Sequence, residues 1–126
     1  LFTPISIVPS CLYTEPEIAS VGLTETQARE KGVQIRVGRY DMKGNGQQII
    51  SRESGGFIKL IFASNSDVLL GAQIMCARAT DMIGELATAL ANGLTSTQLM
   101  YAMRAHPTFN EAISCAVENS RDNIKE

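Results

Sequence analysis

The sequence predicts an α+β domain, with an antiparallel sheet and helices packed on one face of it, and three observations carry that reading. Strand-like patterns fill residues 1–75 and helical patterns fill residues 79–126, a segregation that argues against alternating βαβ units. Two apolar runs, "GGFIKLIFA" and "VLLGAQIMCA", flank the turn-forming cluster "SNSD" and predict a hairpin from Gly56 to Ala77. The chain has 126 residues, 44% of them hydrophobic. That length and composition suit one domain with a real core.

The elements follow in order. "LYTEPEIASVGL" reads as an extended segment broken at Glu15, because a residue before proline avoids the helical region. Thr24 and Gln27 have capping-box spacing before a short helix, and Gly32 supplies its stop. "VQIRVGRYDM", Val33 to Met42, alternates Ile35 and Val37 against Gln34 and Arg36, the period of a half-buried strand. "KGNGQQIISRES" reads as a polar loop carrying a short helix, and the hairpin comes next.

Three helices close the chain. "ATDMIGELATALANG" places Met82, Ile83, Leu86, Ala87 and Leu90 on one apolar stripe and ends at Gly93. Thr95 and Gln98 form a second capping box, with Leu94 and Leu99 spaced as a hydrophobic staple. The last helix begins after "HPT" and runs through "AISCAVENS". The small-residue faces of these helices suit close packing on the sheet or on a second subunit.

Composition removes several functional classes. A net charge of −2 and the lack of a basic run give no electrostatic reason to bind nucleic acid or anionic lipid. No apolar run reaches the roughly 18–20 residues of a membrane span, and "LFTPISIVPS" lacks the basic start of a secretory signal. Cys11, Cys76 and Cys115 are an odd, widely spaced set, which reads as buried thiols in a reducing, cytoplasmic setting. With one histidine and no paired ligand spacing, no metal site is expected. "GNGQQI" lacks the third glycine and the βαβ context of a dinucleotide fingerprint.

The single histidine lies in "RAHPTFNEA", Arg104 to Ala112. One reading is local: Thr108 as N-cap and Glu111 as N3 residue make "TFNE" a capping box, and His106 is a loop residue. The other is chemical. His106 and Glu111 flank a tight turn that Pro107 would lock, in either peptide isomer. A carboxylate on one imidazole nitrogen fixes the tautomer and leaves the other as a general base. A nucleophile for that base is harder to find. Cys115 sits inside the helix rather than at its positive end, and Cys11 stands near a strand, so a self-contained Cys–His hydrolase has no supporting signature. Spacing alone yields half of an acid–base site.

Three blocks, in the correct order, carry a resemblance over nearly the whole chain. "VPSCLYTEPEIASVGLTETQAREKG" resembles the opening of the C-terminal dimerisation domain of the FAD-dependent pyridine nucleotide–disulfide oxidoreductases. "GFIKLIF" through "LLGAQIMCARATDMIGELATAL" is similar to that domain's middle, and "AHPTFNEA" to its H-P-T-x-x-E motif. The pattern is most similar to the dihydrolipoamide dehydrogenase branch.

The resemblance implies that residues 1–126 are a single interface domain of a longer flavoenzyme, forming a homodimer. It implies that His106 is the catalytic base toward a dithiol or disulfide at the partner subunit's redox pair, and that Glu111 orients its imidazole. The backbone at His106 and Pro107 would lie near the partner's flavin. FAD and NAD(P) would belong to the parent's other domains, with no cofactor, metal, nucleic acid or membrane bound by this piece. The family's C-x-x-x-x-C pair is absent from this sequence, so the piece alone is expected to be inert. Arg104 is a departure, standing where many members of that branch have a second histidine. A non-catalytic dimerisation or protein-binding domain that kept the fold is the rival reading.

Overall fold

The computed structural model describes residues 7–53 and 55–122. Residues 1–6, Ser54 and 123–126, assigned to the domain from sequence, lie outside the described residues. A five-stranded sheet runs in the order β1-β2-β5-β4-β3. Its strands are β1 (Ser10–Leu12), β2 (Glu17–Gly22), β3 (Ile35–Asp41), β4 (Phe57–Ala63) and β5 (Leu69–Cys76), and every neighbouring pair is antiparallel. The helices are α1 (Glu25–Glu30), α2 (Gly46–Ser51), α3 (Ala79–Ala91), α4 (Ser96–Tyr101) and α5 (Glu111–Asp122), with a 3-10 turn over Met42–Gly44. The α+β class, the hairpin and each expected helix are therefore present. The extended N-terminal segment is resolved into two paired strands on either side of a cis Glu15–Pro16 bond.

Local chemistry explains the helix starts. Thr24 accepts from the Gln27 N–H at 3.1 Å while Gln27 accepts from the Thr24 N–H at 3.0 Å. Thr95 and Gln98 repeat the reciprocal pair at 3.2 and 2.9 Å. Each box satisfies two backbone donors that a helix terminus leaves free. At the far end of α3, Gly93 takes φ +61, a left-handed conformation that a glycine adopts without a Cβ clash.

One core fills the space between the sheet and α3 and α5. Ile58, Leu60 and Phe62 of β4 and Ala72, Ile74 and Cys76 of β5 meet Met82, Ile83 and Leu86 of α3 and Ile113, Ala116 and Val117 of α5. All of these are buried. Such burial is the dominant favourable term in folding.

Two expectations need correction. The half-buried strand β3 buries the side opposite to its aliphatic pair: Arg36 is 9% exposed, while Ile35 and Val37 are only half-buried. Arg36 is accommodated because it pairs with Asp67, donates to Ser96 at 3.2 Å and lies over the Phe62 ring at 5.6 Å. A buried cation with such partners is tolerated where an unpaired one is not. The second correction concerns the single helical face. The Lys59–Glu25 ion pair, at 2.6 Å, draws α1 to the side of β4 that points away from the main core, because Lys59 alternates with the core residues Ile58 and Leu60.

Candidate functional site

Glu111 is the first residue of α5, and His106 stands on the turn that precedes it. The expected capping box does not form there. The Thr108 hydroxyl donates to the Ala105 carbonyl at 2.7 Å, and the Glu111 carboxylate turns to the imidazole instead of back to the Thr108 N–H. Nδ1 of His106 lies 2.9 Å from Oε2 of Glu111 in hydrogen-bond alignment, and 2.8 Å from Oε1. Oε1 is buried and has no aligned partner, so the carboxylate faces the ring with both oxygens. A carboxylate in the first turn of a helix is also favoured by the helix dipole.

The exposures of the two side chains differ. The His106 side chain is 79% exposed and that of Glu111 is 27%. The inner nitrogen is therefore held, while Nε2 faces outward with no hydrogen bond to the described residues. The His106–Pro107 peptide is cis. Ala105, His106 and Pro107 are all solvent-exposed.

Several side chains tie this turn down. Asn45, which is 3% exposed, caps α2 by accepting from the Gln48 N–H at 3.0 Å and donates its amide to the Thr108 carbonyl at 3.0 Å. Arg104 has a side chain only 6% exposed and pairs with Glu85 of α3. Asn110 donates to the other oxygen of Glu85 at 3.1 Å. Sequence reasoning singled out Arg104 only as a departure and passed over Glu85, Asn45 and Asn110. The available signal was Glu85 itself, a carboxylate beside the apolar stripe of α3.

No cysteine completes the dyad. Cys11, Cys76 and Cys115 are free thiols. Burial first, then the nearby Glu118 and Glu111 carboxylates, pushes the Cys115 thiol up despite the Tyr40 hydroxyl beside it. Burial likewise raises Cys76. A thiol shifted in this direction is a poorer nucleophile near neutral pH. Among the described residues no group of three or more His, Cys, Asp or Glu side chains is placed to hold a metal ion. No helix among them is long and apolar enough to cross a membrane. Gly44 and Gly46 lie in the 3-10 turn and at the start of α2, between antiparallel strands.

Comparison with known proteins decides the family. Residues 8–117 match the model of the pyridine nucleotide-disulphide oxidoreductase dimerisation domain. The chain belongs to that family. It is 40% identical over 111 residues to the dihydrolipoyl dehydrogenase of Bacillus subtilis, a match covering 88% of this chain and 24% of that protein. To the dihydrolipoyl dehydrogenase of Rhizobium etli it is 41% identical over 110 residues, covering 87% and 23%. The chain thus spans about a quarter of the length of the curated relatives it matches. Solved structures agree on the fold. LpdA from Mycobacterium tuberculosis superposes with a TM-score of 0.86 at 23% identity, over 96% of this chain and 26% of that one. The HOCl-induced flavoprotein disulfide reductase RclA from Escherichia coli gives 0.84 at 26% identity, over 88% and 26%.

Proposed function

We propose that this domain supplies the His106–Glu111 general acid/base of a homodimeric flavoprotein disulfide oxidoreductase of the dihydrolipoyl dehydrogenase type. The observation that carries the reading is an imidazole with Nδ1 held by a carboxylate, Nε2 turned outward, and no activated thiol beside it. A base of that kind has its substrate elsewhere, and a dimerisation domain presents it to a partner subunit.

The residues act as follows. Glu111 accepts from Nδ1–H, fixes the tautomer and stabilises the imidazolium. Nε2 takes the proton of a dithiol substrate. The thiolate so formed attacks one sulfur of a disulfide carried by the parent's redox pair. The S–S bond breaks, a mixed disulfide forms, and the leaving sulfur departs as a thiolate. In the reverse direction the imidazolium returns its proton to the departing thiolate. When bound by the parent's other domains, FAD and NAD(P) supply the two-electron chemistry. The solvent exposure of His106 and Pro107 supports a place for their backbone beside that flavin. The three free thiols suit a reducing, cytoplasmic setting.

The test is made in the full-length parent. His106→Gln should slow dithiol–disulfide exchange by roughly 10²–10⁴-fold, the usual contribution of a general base, with FAD still bound. Near-normal turnover in that variant would sink the role and favour a domain that kept the fold without the chemistry.

A further inference from the structure

We infer that Glu85 is a positioning residue for this reaction: one carboxylate on α3 grips both ends of the turn that carries His106. The inference rests on the base reading above and deepens it.

Asn45 and the Thr108 hydroxyl also hold the turn, at the Thr108 and Ala105 carbonyls, but neither reaches a neighbour on each side of the dyad. Residues 102–110 form no helix or strand, and the His106 ring, 79% exposed, gains little from packing. Oε1 of Glu85 takes the Nε–H of Arg104 at 3.0 Å and a second N–H from Nη2. Oε2 takes an amide N–H of Asn110 at 3.1 Å. Arg104 stands two residues before His106, and Asn110 stands next to Glu111. Both members of the dyad are therefore suspended from the same side chain, which touches neither of them.

The clamp is built to be stiff. Nη1 of Arg104 donates to the carbonyls of Leu99 and Ala102, both at 3.2 Å, and to the Ser114 hydroxyl of α5 at 2.7 Å. These are charge-assisted bonds, about twice as strong as neutral ones. With its side chain 6% exposed, Arg104 is not a solvent-weakened surface partner. Glu85 stands on a helix whose Met82, Ile83 and Leu86 are locked in the core, so the reference point is rigid. Rigidity matters because a misplacement of about 1 Å can lower a rate roughly 10²-fold.

The experiment uses the full-length, flavin-loaded parent and measures steady-state dithiol–disulfide exchange in Glu85→Ala, Asn110→Ala, His106→Gln and the Glu85→Ala/His106→Gln pair. Glu85→Ala should lower kcat by roughly 10–100-fold with little change in KM. Asn110→Ala, which removes only the Oε2 bond, should show a smaller loss in the same direction. The double variant should be no slower than His106→Gln alone, because Glu85 acts through the base. A structural weakening unrelated to the base would instead multiply the two losses, and that result overturns the inference. So does an unchanged kcat in Glu85→Ala. If that variant does not fold, an unchanged kcat in flavin-loaded Asn110→Ala overturns it equally. Normal turnover in His106→Gln is the separate result that removes the base reading itself.

Discussion

Nδ1 of His106 and Oε2 of Glu111 are joined by a 2.9 Å hydrogen bond across the turn that opens α5. The bond has two jobs in the proposed chemistry, fixing the tautomer and stabilising the imidazolium, and they are separable. Glu111→Gln keeps an acceptor for Nδ1–H but removes the charge, while Glu111→Ala removes both. Exchange rates in the full-length parent should fall in the order wild type, Glu111→Gln, Glu111→Ala, with His106→Gln slowest. A wild-type rate in Glu111→Ala would show that the imidazole needs no orienting partner.

The placement of α5 depends on a missing side chain. A β-carbon on Gly38 of β3 would lie 2.1 Å from the Ala116 carbonyl oxygen and 2.8 Å from Cβ of Ser120. Gly38→Ala must push α5 off β3, and overpacking of this kind costs about 1–3 kcal/mol. Chemical denaturation should show the loss. Unchanged stability would mean that α5 shifts freely.

Acid should weaken the chain through Glu25. Its hydrogen bonds to Lys59 and then Arg29 hold its carboxyl down at about 2, against an ordinary value of 4.5. A depressed folded pKa contributes stability that is complete above the unfolded value and is lost as pH falls through the folded one. The contribution should therefore disappear between about pH 4.5 and pH 2. At Asp67, burial pushes upward, yet the bonds from Ser96 and Arg36 leave a net depression, so it acts with the same sign. Urea midpoints measured at pH 6, 4 and 2 should fall, and Glu25→Gln should flatten that fall. An unaltered slope in the variant would assign it to other carboxylates.

The thiols should react slowly. The raised pKa of Cys115 leaves less thiolate at neutral pH than a free cysteine has. Cys76 is shifted the same way and is fully buried. Iodoacetamide labelling at pH 7.5, followed by peptide mass spectrometry, should show Cys115 slower than free cysteine and Cys76 slower still. Rapid Cys115 labelling would reopen the possibility of a nucleophile within the chain.

Much of this was legible locally. The two capping boxes depend on residues three apart, and both form as the spacing demands. The third box, Thr108 with Glu111, has the same spacing and does not form, because an imidazole competes for the carboxylate. The alternation in β3 misled for a related reason. Period two shows that one side of a strand is buried, but here Asp67, Ser96 and Phe62 arrive from other elements and make Arg36 the buried side chain. Glu85 was illegible as a clamp because its partners Arg104 and Asn110 lie 19 and 25 positions away.

The sequence by itself determined the α+β class, the hairpin, the capped starts of α1 and α4 and the single histidine with a carboxylate five residues on. Those features follow from periodicity, turn chemistry and short-range hydrogen bonds, which act between near neighbours. Tertiary structure alone decided where the Glu111 carboxylate points, which side of β3 is buried and what holds the His106 turn. Each of those outcomes is a competition among partners brought together by packing α3 and α5 on one sheet, and local spacing does not encode that competition.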